Sequence, residues 1–125
     1  MMPLSPRIFA SPDSNSWAAF AADAIGQEIR SVLSRKNICH VMLTGGKTVE
    51  RLYKQWAKTG ILPMKNICFY FGDERCVPPD HADSNYALMM NTLLAKGASP
   101  ECSILRIEAE NPDREAAAKA YEKLI

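Results

Sequence analysis

Residues 38–48 read Ile38-Cys39-His40-Val41-Met42-Leu43-Thr44-Gly45-Gly46-Lys47-Thr48, and this stretch decides the fold of the chain. It opens with a continuous apolar run, which is typical of a strand buried on both faces of a parallel sheet. His40 inside that run is expected to be a core histidine bonded to a backbone group. The paired glycines end the strand, and a helix is predicted to begin near Thr48. A strand, a glycine turn and a helix in this order form one unit of an α/β protein.

The same alternation of short apolar runs and longer amphipathic runs continues on both sides of this unit. It predicts an α/β fold with an open, mostly parallel sheet and flanking helices, Rossmann-like, in a single domain over residues 1–125. The third helix is expected to include Leu93 and Leu94, and the fourth to turn Ala117, Ala120, Tyr121 and Leu124 inward. The predicted strands are Arg7–Ala10, Ile38–Leu43, Ile67–Phe71 and Ile104–Ile107, and the predicted helices begin at Asp13, Ser14 or Ser16, near Thr48, after Ser84 and near Arg114.

Composition and charge exclude several classes of function. Apolar residues make up 47% and charged residues 23% of the chain, which is ordinary globular usage. The formal net charge is +1 and there is no basic cluster, so nucleic acid is not an expected partner. Neither Met1–Pro6 nor any later stretch has the apolar length of a signal-peptide core or a membrane span. We therefore expect a cytoplasmic protein that has no membrane partner.

The cysteines are scattered along the chain without the CxxC pairs of a zinc site or the density of a secreted disulfide scaffold. This pattern predicts free thiols. The cysteines are Cys39, Cys68, Cys76 and Cys102.

The last predicted helix reaches Ile125 without a Gly, Asn or Pro stop signal. This pattern predicts that further sequence follows in the intact gene product. The alternative is a helix that frays at a natural terminus.

The glycine turn is the first of three segments that could carry chemistry at the carboxyl ends of strands. Gly45 and Gly46 let backbone amides approach an oxyanion closely, and the N-terminus of the next helix favours negative charge. Lys47 and the Thr48 hydroxyl strengthen this prediction of a phosphate site. A plain tight turn is the more frequent cause of paired glycines, and the spacing of a Walker A loop is absent.

The second segment, Phe71-Gly72-Asp73-Glu74-Arg75, places two carboxylates and a guanidinium just after a strand. An arginine side chain suits a carboxylate, a phosphate or a developing oxyanion, and an adjacent acid could orient it. Taken alone, the triplet is more often a solvated charged turn.

The third segment, His81-Ala82-Asp83-Ser84-Asn85-Tyr86, spans the end of a loop and the start of the third helix. His81 could act as an acid, a base or an anion contact near neutral pH. Ser84 is predicted to be the N-cap of the helix.

Together, the three segments resemble the 6-phosphogluconolactonase family in residue identity, order and spacing. Ile104–Ile107, Asn111-Pro112 and the Ala-rich stretch to Tyr121 resemble the next strand and helix of that family. The sister family of glucosamine-6-phosphate deaminases shares the architecture but usually has an aromatic residue where Arg75 stands. Arg75 and Asn85 therefore favour the lactonase.

The resemblance implies hydrolysis of 6-phosphoglucono-1,5-lactone to 6-phosphogluconate in the pentose phosphate pathway, without metal or cofactor. It implies that Gly45, Gly46 and Thr48 line the sugar-phosphate site and that Asp73 and Arg75 face the reacting end. Lys47 belongs to the same predicted binding loop, and His81 is expected to have a structural role.

The sequence departs from the family at two residues near the predicted phosphate site, and it lacks one segment of the family. The family commonly has Ser or Thr where Lys47 stands and Pro where Val49 stands. The family's catalytic histidine, in a Gly-Asp-Gly-His type segment, has no counterpart in the sequence. We therefore expect the chain to be the N-terminal part of a longer lactonase domain and to be inactive alone. It could form a homodimer. The alternatives are a deaminase-like enzyme and a sugar-phosphate-binding module without catalysis.

Overall fold

The computed structural model describes residues 5–125, and within them the chain alternates helices with parallel strands. The sheet order is β1-β2-β3, with β2 in the centre and both pairings parallel. This arrangement confirms the predicted α/β class and the parallel sheet. The elements are α1 (Ser14–Arg35), β1 (Cys39–Leu43), α2 (Lys47–Thr59), β2 (Ile67–Phe71), α3 (Asn85–Asn91), β3 (Ser103–Leu105) and α4 (Arg114–Leu124).

The core lies on one face of the sheet, beneath α1 and α2. Ile67, Phe69 and Phe71 alternate along β2 toward this face and are almost fully buried. The indole Nε1 of Trp56 on α2 donates a hydrogen bond to the backbone oxygen of Ala22 on α1, at 2.9 Å. The two helices are thus joined to each other as well as to the sheet.

The prediction that β1 is buried on both faces is wrong. Cys39 and Leu43 point into the core, but the Met42 side chain on the other face is 63% exposed. His40 is exposed and is not a core histidine, since its Nδ1 bonds the Tyr70 hydroxyl at 2.8 Å. In the described part of the chain β1 is an edge strand, so its second face lacks the cover that a central strand receives.

The strand predicted at Arg7–Ala10 is not formed. Ile8 and Phe9 are exposed, and the Phe9 ring lies 4.9 Å from the Phe20 ring on α1, centroid to centroid. The apolar residues of this segment are suitable for a strand, but the segment has no neighbouring strand to pair with among residues 5–125. The helix start beyond it is as predicted, because the Asp13 carboxylate accepts from the Ser16 amide at 2.7 Å.

The later elements are shorter or less buried than predicted. Helix α3 ends at Asn91, and Leu93 and Leu94 are buried in the turns that follow it. On α4, Ala117 is buried, whereas Ala120 and Leu124 are exposed. The fourth helix therefore packs through Ala117 and through Tyr121, whose hydroxyl bonds the Phe71 backbone. The predicted free thiols are confirmed at all four cysteines.

Candidate functional site

Two loops leave the carboxyl edge of the sheet side by side. Leu43 and Phe71 are paired at the ends of β1 and β2. The amide of Gly72 then donates to the Leu43 oxygen at 3.0 Å. We call residues 44–46 the glycine loop and residues 72–84 the acidic loop. Ligands collect at this edge in open α/β sheets, which makes the two loops the candidate site.

The glycine loop is fixed to α2 by a buried tyrosine. The Tyr53 hydroxyl donates to the Thr44 oxygen at 2.7 Å and accepts from the Thr44 amide at 3.3 Å. Burial raises the pKa of Tyr53 above its ordinary value. The loop therefore leaves β1 in one fixed direction.

Gly46 is the N-cap of α2 and has a φ of 112°, a conformation that favours glycine. Among residues 5–125, no side chain caps this helix end. The first amides of α2 thus keep their capacity to donate to an anion, assisted by the positive end of the helix.

The acidic loop is held against α3 by the Glu74 carboxylate. Its Oε1 accepts from the Arg75 amide at 2.8 Å and from the Asn85 amide at 2.7 Å. Its Oε2 accepts from the Ser84 hydroxyl and from the Tyr86 amide, each at 3.0 Å. Sequence reasoning assigned Glu74 no more than an orienting role beside Arg75.

Asn85 joins the two loops and was missed as a site residue by the sequence analysis. Its side-chain Nδ2 donates to the backbone oxygen of Asp73 at 3.3 Å and to the Asp73 carboxylate at 3.2 Å. The other side of the amide lies on Gly45, where an added Cβ would come within 1.9 Å of the Asn85 Oδ1. Asn85 is only 6% exposed. Its position directly after the N-cap of α3 gave no sign of this burial.

The structure brings Gly46 and Arg75 together around one hollow of about 320 Å³. Asp73 does not line this hollow but contacts it through Asn85. The lining residues are Gly46, Arg75, Val77, Asp83 and Asn85.

Lys47 and Thr48 line a second hollow of about 430 Å³, which does not include Arg75. Arg51 faces the same space from the next turn of α2. The predicted binding loop is thus divided, with Gly46 turned to the hollow of Arg75 and the next two side chains turned to the other. The remaining lining residues are Ser11, Asp13, Ser14 and Trp17.

The third predicted segment has a structural role in the described contacts. The Ser84 hydroxyl accepts from the Ala87 amide at 3.1 Å, which confirms it as the N-cap of α3. His81 is exposed and accepts from the Asp83 amide through Nδ1 at 3.0 Å. His81 therefore shapes its own loop and does not line the hollow of Arg75.

Residues 5–125 contain no group of three or more His, Cys, Asp and Glu side chains arranged to hold a metal ion. In the same part of the chain, no helix combines the length and the apolar character needed to cross a bilayer.

An α/β protein that places helix-start amides and a guanidinium around one hollow is a candidate for binding phosphorylated small molecules. A family described as "Glucosamine-6-phosphate isomerases/6-phosphogluconolactonase" has a model that matches residues 12–125. The chain belongs to this family.

Similar proteins agree with this assignment. The chain is 34% identical over 122 residues to the 6-phosphogluconolactonase of Chlamydia pneumoniae, covering 96% of this chain and 43% of that protein. It is 35% identical over 97 residues to the 6-phosphogluconolactonase of Haemophilus influenzae, covering 75% of this chain and 42% of that protein. The chain thus spans less than half the length of these two relatives.

Solved structures support the fold. The 6-phosphogluconolactonase from Trypanosoma cruzi superposes with a TM-score of 0.82 at 24% identity, covering 98% of this chain and 50% of that one. The 6-phosphogluconolactonase from Thermotoga maritima gives a TM-score of 0.72 at 28% identity, covering 86% and 48%. The arrangement of helices around the parallel sheet is therefore that of known members of the family.

Proposed function

We propose that this chain carries the phosphate-binding and arginine-bearing part of a 6-phosphogluconolactonase site. Such a site hydrolyses the ring ester of 6-phosphoglucono-1,5-lactone to 6-phosphogluconate. The observation that carries the proposal is the single hollow shared by Gly46 and Arg75. The names of the relatives from Chlamydia pneumoniae and Haemophilus influenzae support the same reaction.

Lactone hydrolysis is acyl transfer to water, and it needs an anchor for the substrate, donors for the oxyanion and a base. In the proposal, the amides around Gly45 and Gly46 hold the phosphate at the start of α2. Lys47 and Thr48 contribute to binding from the adjoining hollow. At the reacting end, the Arg75 guanidinium stabilises the developing oxyanion, and Asp73 acts through Asn85, whose side chain it bonds.

The base is the part of this machinery that the proposal does not assign to the chain. The sequence contains no Gly-Asp-Gly-His segment, and His81 lies outside the hollow of Arg75. The proposal therefore expects the chain to bind phosphorylated sugar acid without catalysing its formation. A cytoplasmic location and a homodimer, both expected from the sequence, stay predictions.

The alternative within the same family is a glucosamine-6-phosphate deaminase. A monomeric enzyme of that name has the same fold, with a TM-score of 0.71 at 22% identity. Arg75 favours the lactonase, since the resemblance places an aromatic residue at this position in deaminases.

Calorimetric titration of the purified chain with 6-phosphogluconate tests the proposal, with gluconate as the ligand that lacks the phosphate. We expect binding of the first and not of the second, and we expect Arg75→Ala to weaken binding. Arg35→Ala is the matched control, because Arg35 ends α1 before β1 begins, at the opposite edge of the sheet.

Activity assays on the same protein separate the alternatives. Lactone hydrolysis at the uncatalysed rate, together with binding of 6-phosphogluconate, is the expected result. Catalysed hydrolysis would support the reaction and refute the need for a base from outside the chain. Failure to bind 6-phosphogluconate, or conversion of glucosamine 6-phosphate to fructose 6-phosphate, would contradict the proposal.

A further inference from the structure

We infer that Glu74 is a positioning residue, which sets the two loops of the site relative to each other through Asn85. The inference rests on the proposed function, because it concerns the same hollow. Glu74 does not line that hollow. Its carboxylate instead binds the backbone from which Asn85 projects.

The Glu74 carboxylate acts as an acceptor on both oxygens. Within residues 5–125 it accepts from the amides of Arg75, Asn85 and Tyr86 and from the Ser84 hydroxyl. An ionised carboxylate can accept on both oxygens at once. The amide of a glutamine would instead turn an NH2 group toward two of these donors.

Glu74 also satisfies the start of α3. The first amides of a helix have no partner within the helix, and those of Asn85 and Tyr86 are bonded by Glu74. These bonds hold the N-terminus of α3 against Glu74 in the acidic loop. The position of the Asn85 Cα is thereby fixed relative to the acidic loop.

The contacts of the Asn85 side chain leave the start of α3 little freedom to move. Its Nδ2 bonds Asp73, and its Oδ1 lies where a Cβ of Gly45 would be. A displacement of the α3 start would move Asn85 against Gly45 or away from it. Either movement would change the mouth of the hollow between Gly46 and Arg75.

The competing explanation is that Glu74 only stabilises α3. Ser84 provides the comparison, since its hydroxyl caps the Ala87 amide and also bonds Glu74. Ser84→Ala removes the cap but leaves the bonds from Glu74 to the amides of Asn85 and Tyr86. A stabilising role would make Glu74→Gln and Ser84→Ala alike in every measurement, whereas a positioning role separates them.

The experiment compares Glu74→Gln, Ser84→Ala and Asp80→Asn in the full chain. Asp80 is an exposed carboxylate in the same acidic loop, so its amide variant is the matched control. Titration with 6-phosphogluconate gives the affinity, thermal unfolding gives the stability, and amide NMR spectra without ligand report on Gly45.

We expect Glu74→Gln to weaken binding by at least about 10-fold and to shift the Gly45 amide resonance, because loss of charged hydrogen bonds releases Asn85. Ser84→Ala should lower the melting temperature as much but change the affinity by less than about 3-fold. Asp80→Asn should match the unaltered chain. Equal affinity losses in the first two variants at equal melting temperature would overturn the inference.

Two further outcomes are also decisive. If the unaltered chain does not bind 6-phosphogluconate, the proposed function fails, and a Gly45 shift that occurs in Glu74→Gln but not in Ser84→Ala still supports positioning. If Glu74→Gln does not fold, Glu74→Asp keeps the charge and retracts it by one methylene. A folded Glu74→Asp protein with unchanged affinity and an unmoved Gly45 resonance would overturn the inference.

Discussion

The glycine loop and the acidic loop begin side by side on the sheet but are held by different means. The glycine loop is short and is shaped by its backbone, with Tyr53 bound to Thr44 and no side chain at Gly45. The acidic loop is long and is held by side chains, chiefly the Glu74 carboxylate. Adding atoms should therefore do most damage to the first loop, and removing hydrogen-bonding side chains of the loop itself should do most damage to the second.

The largest effect is expected from Gly45→Ala. The new Cβ would overlap the Asn85 Oδ1, which is buried and cannot withdraw without losing Asp73. We expect the free energy of unfolding to fall by about 1–3 kcal/mol, as for other overpacked sites. Urea unfolding measures this change, and titration with 6-phosphogluconate should show weaker binding.

Gly26→Ala is the control for the glycine substitution. Gly26 is inside α1, and its added Cβ would make an ordinary contact with Ile61 at 3.5 Å. This substitution should raise the free energy of unfolding by up to about 1 kcal/mol, because alanine is the better helix former. Equal destabilisation by the two alanines would show that the contact with Asn85 is unimportant.

Two tyrosines allow the strand ends to be compared directly. Tyr121 donates to the oxygen of Phe71 and accepts from its amide, both at 2.8 Å, as Tyr53 does for Thr44. We expect Tyr53→Phe to cost about 1–2 kcal/mol of unfolding free energy and to weaken ligand binding. Tyr121→Phe should cost about 0.5–1 kcal/mol, because water can reach the more exposed site. A larger loss of affinity in Tyr121→Phe would reverse the comparison.

A smaller effect is expected from Lys47→Ser, which restores the residue type common in the family. The Lys47 side chain lines the hollow that Arg75 does not reach. Its charge near the start of α2 should therefore change the affinity for 6-phosphogluconate by no more than about 5-fold, and less at high salt. A loss well above 10-fold would place the lysine at the phosphate itself.

The smallest effect concerns the support of α3 at low pH. Hydrogen bonds from Arg106, at 2.8 Å to each oxygen, lower the pKa of Glu110 to about 2. Arg106 also lies over the Tyr86 ring, 5.8 Å from its centroid. Since the folded pKa is depressed from 4.5, the stabilisation is complete above about pH 4.5 and is lost as the pH falls toward 2.

Glu110→Gln should remove this part of the acid dependence and leave the remainder. Urea midpoints measured between pH 7 and pH 2 should converge for the two proteins at the acid end. The control is Glu115→Gln, which alters an exposed pair with Lys119. A difference between Glu110→Gln and the unaltered chain that is constant over the whole range would contradict the assignment.

Local sequence signals predicted the elements that depend on local physics. The caps at Asp13 and Ser84 and the left-handed end of α2 at Gly60 follow from residue type and position. The predicted strand at Arg7–Ala10 and the burial of His40 were wrong because both depend on which segment lies alongside. A run of apolar residues predicts that a strand can form, but it does not identify the strand that pairs with it.

The positions of the candidate site residues were predicted to a similar extent. Glycines and an arginine after strand ends predicted which residues could meet, and Gly46 and Arg75 do share a hollow, whereas the roles assigned to them stay predictions. Asn85 and Glu74 were not recognised because their importance comes from contacts with Gly45 and the start of α3. Lys47 and Gly46 line different hollows because of the direction in which α2 leaves its first turn. Residue types do not specify this direction.

The two tyrosine hydroxyls also imply an order in which the edge can be assembled. Thr44 and Tyr53 are nine residues apart, so this bond closes a small loop at low entropic cost. Phe71 and Tyr121 are 50 residues apart, and their bond requires α4 to be in place. During synthesis the turn after β1 can reach its final form early, whereas the end of β2 is completed only after α4 has docked.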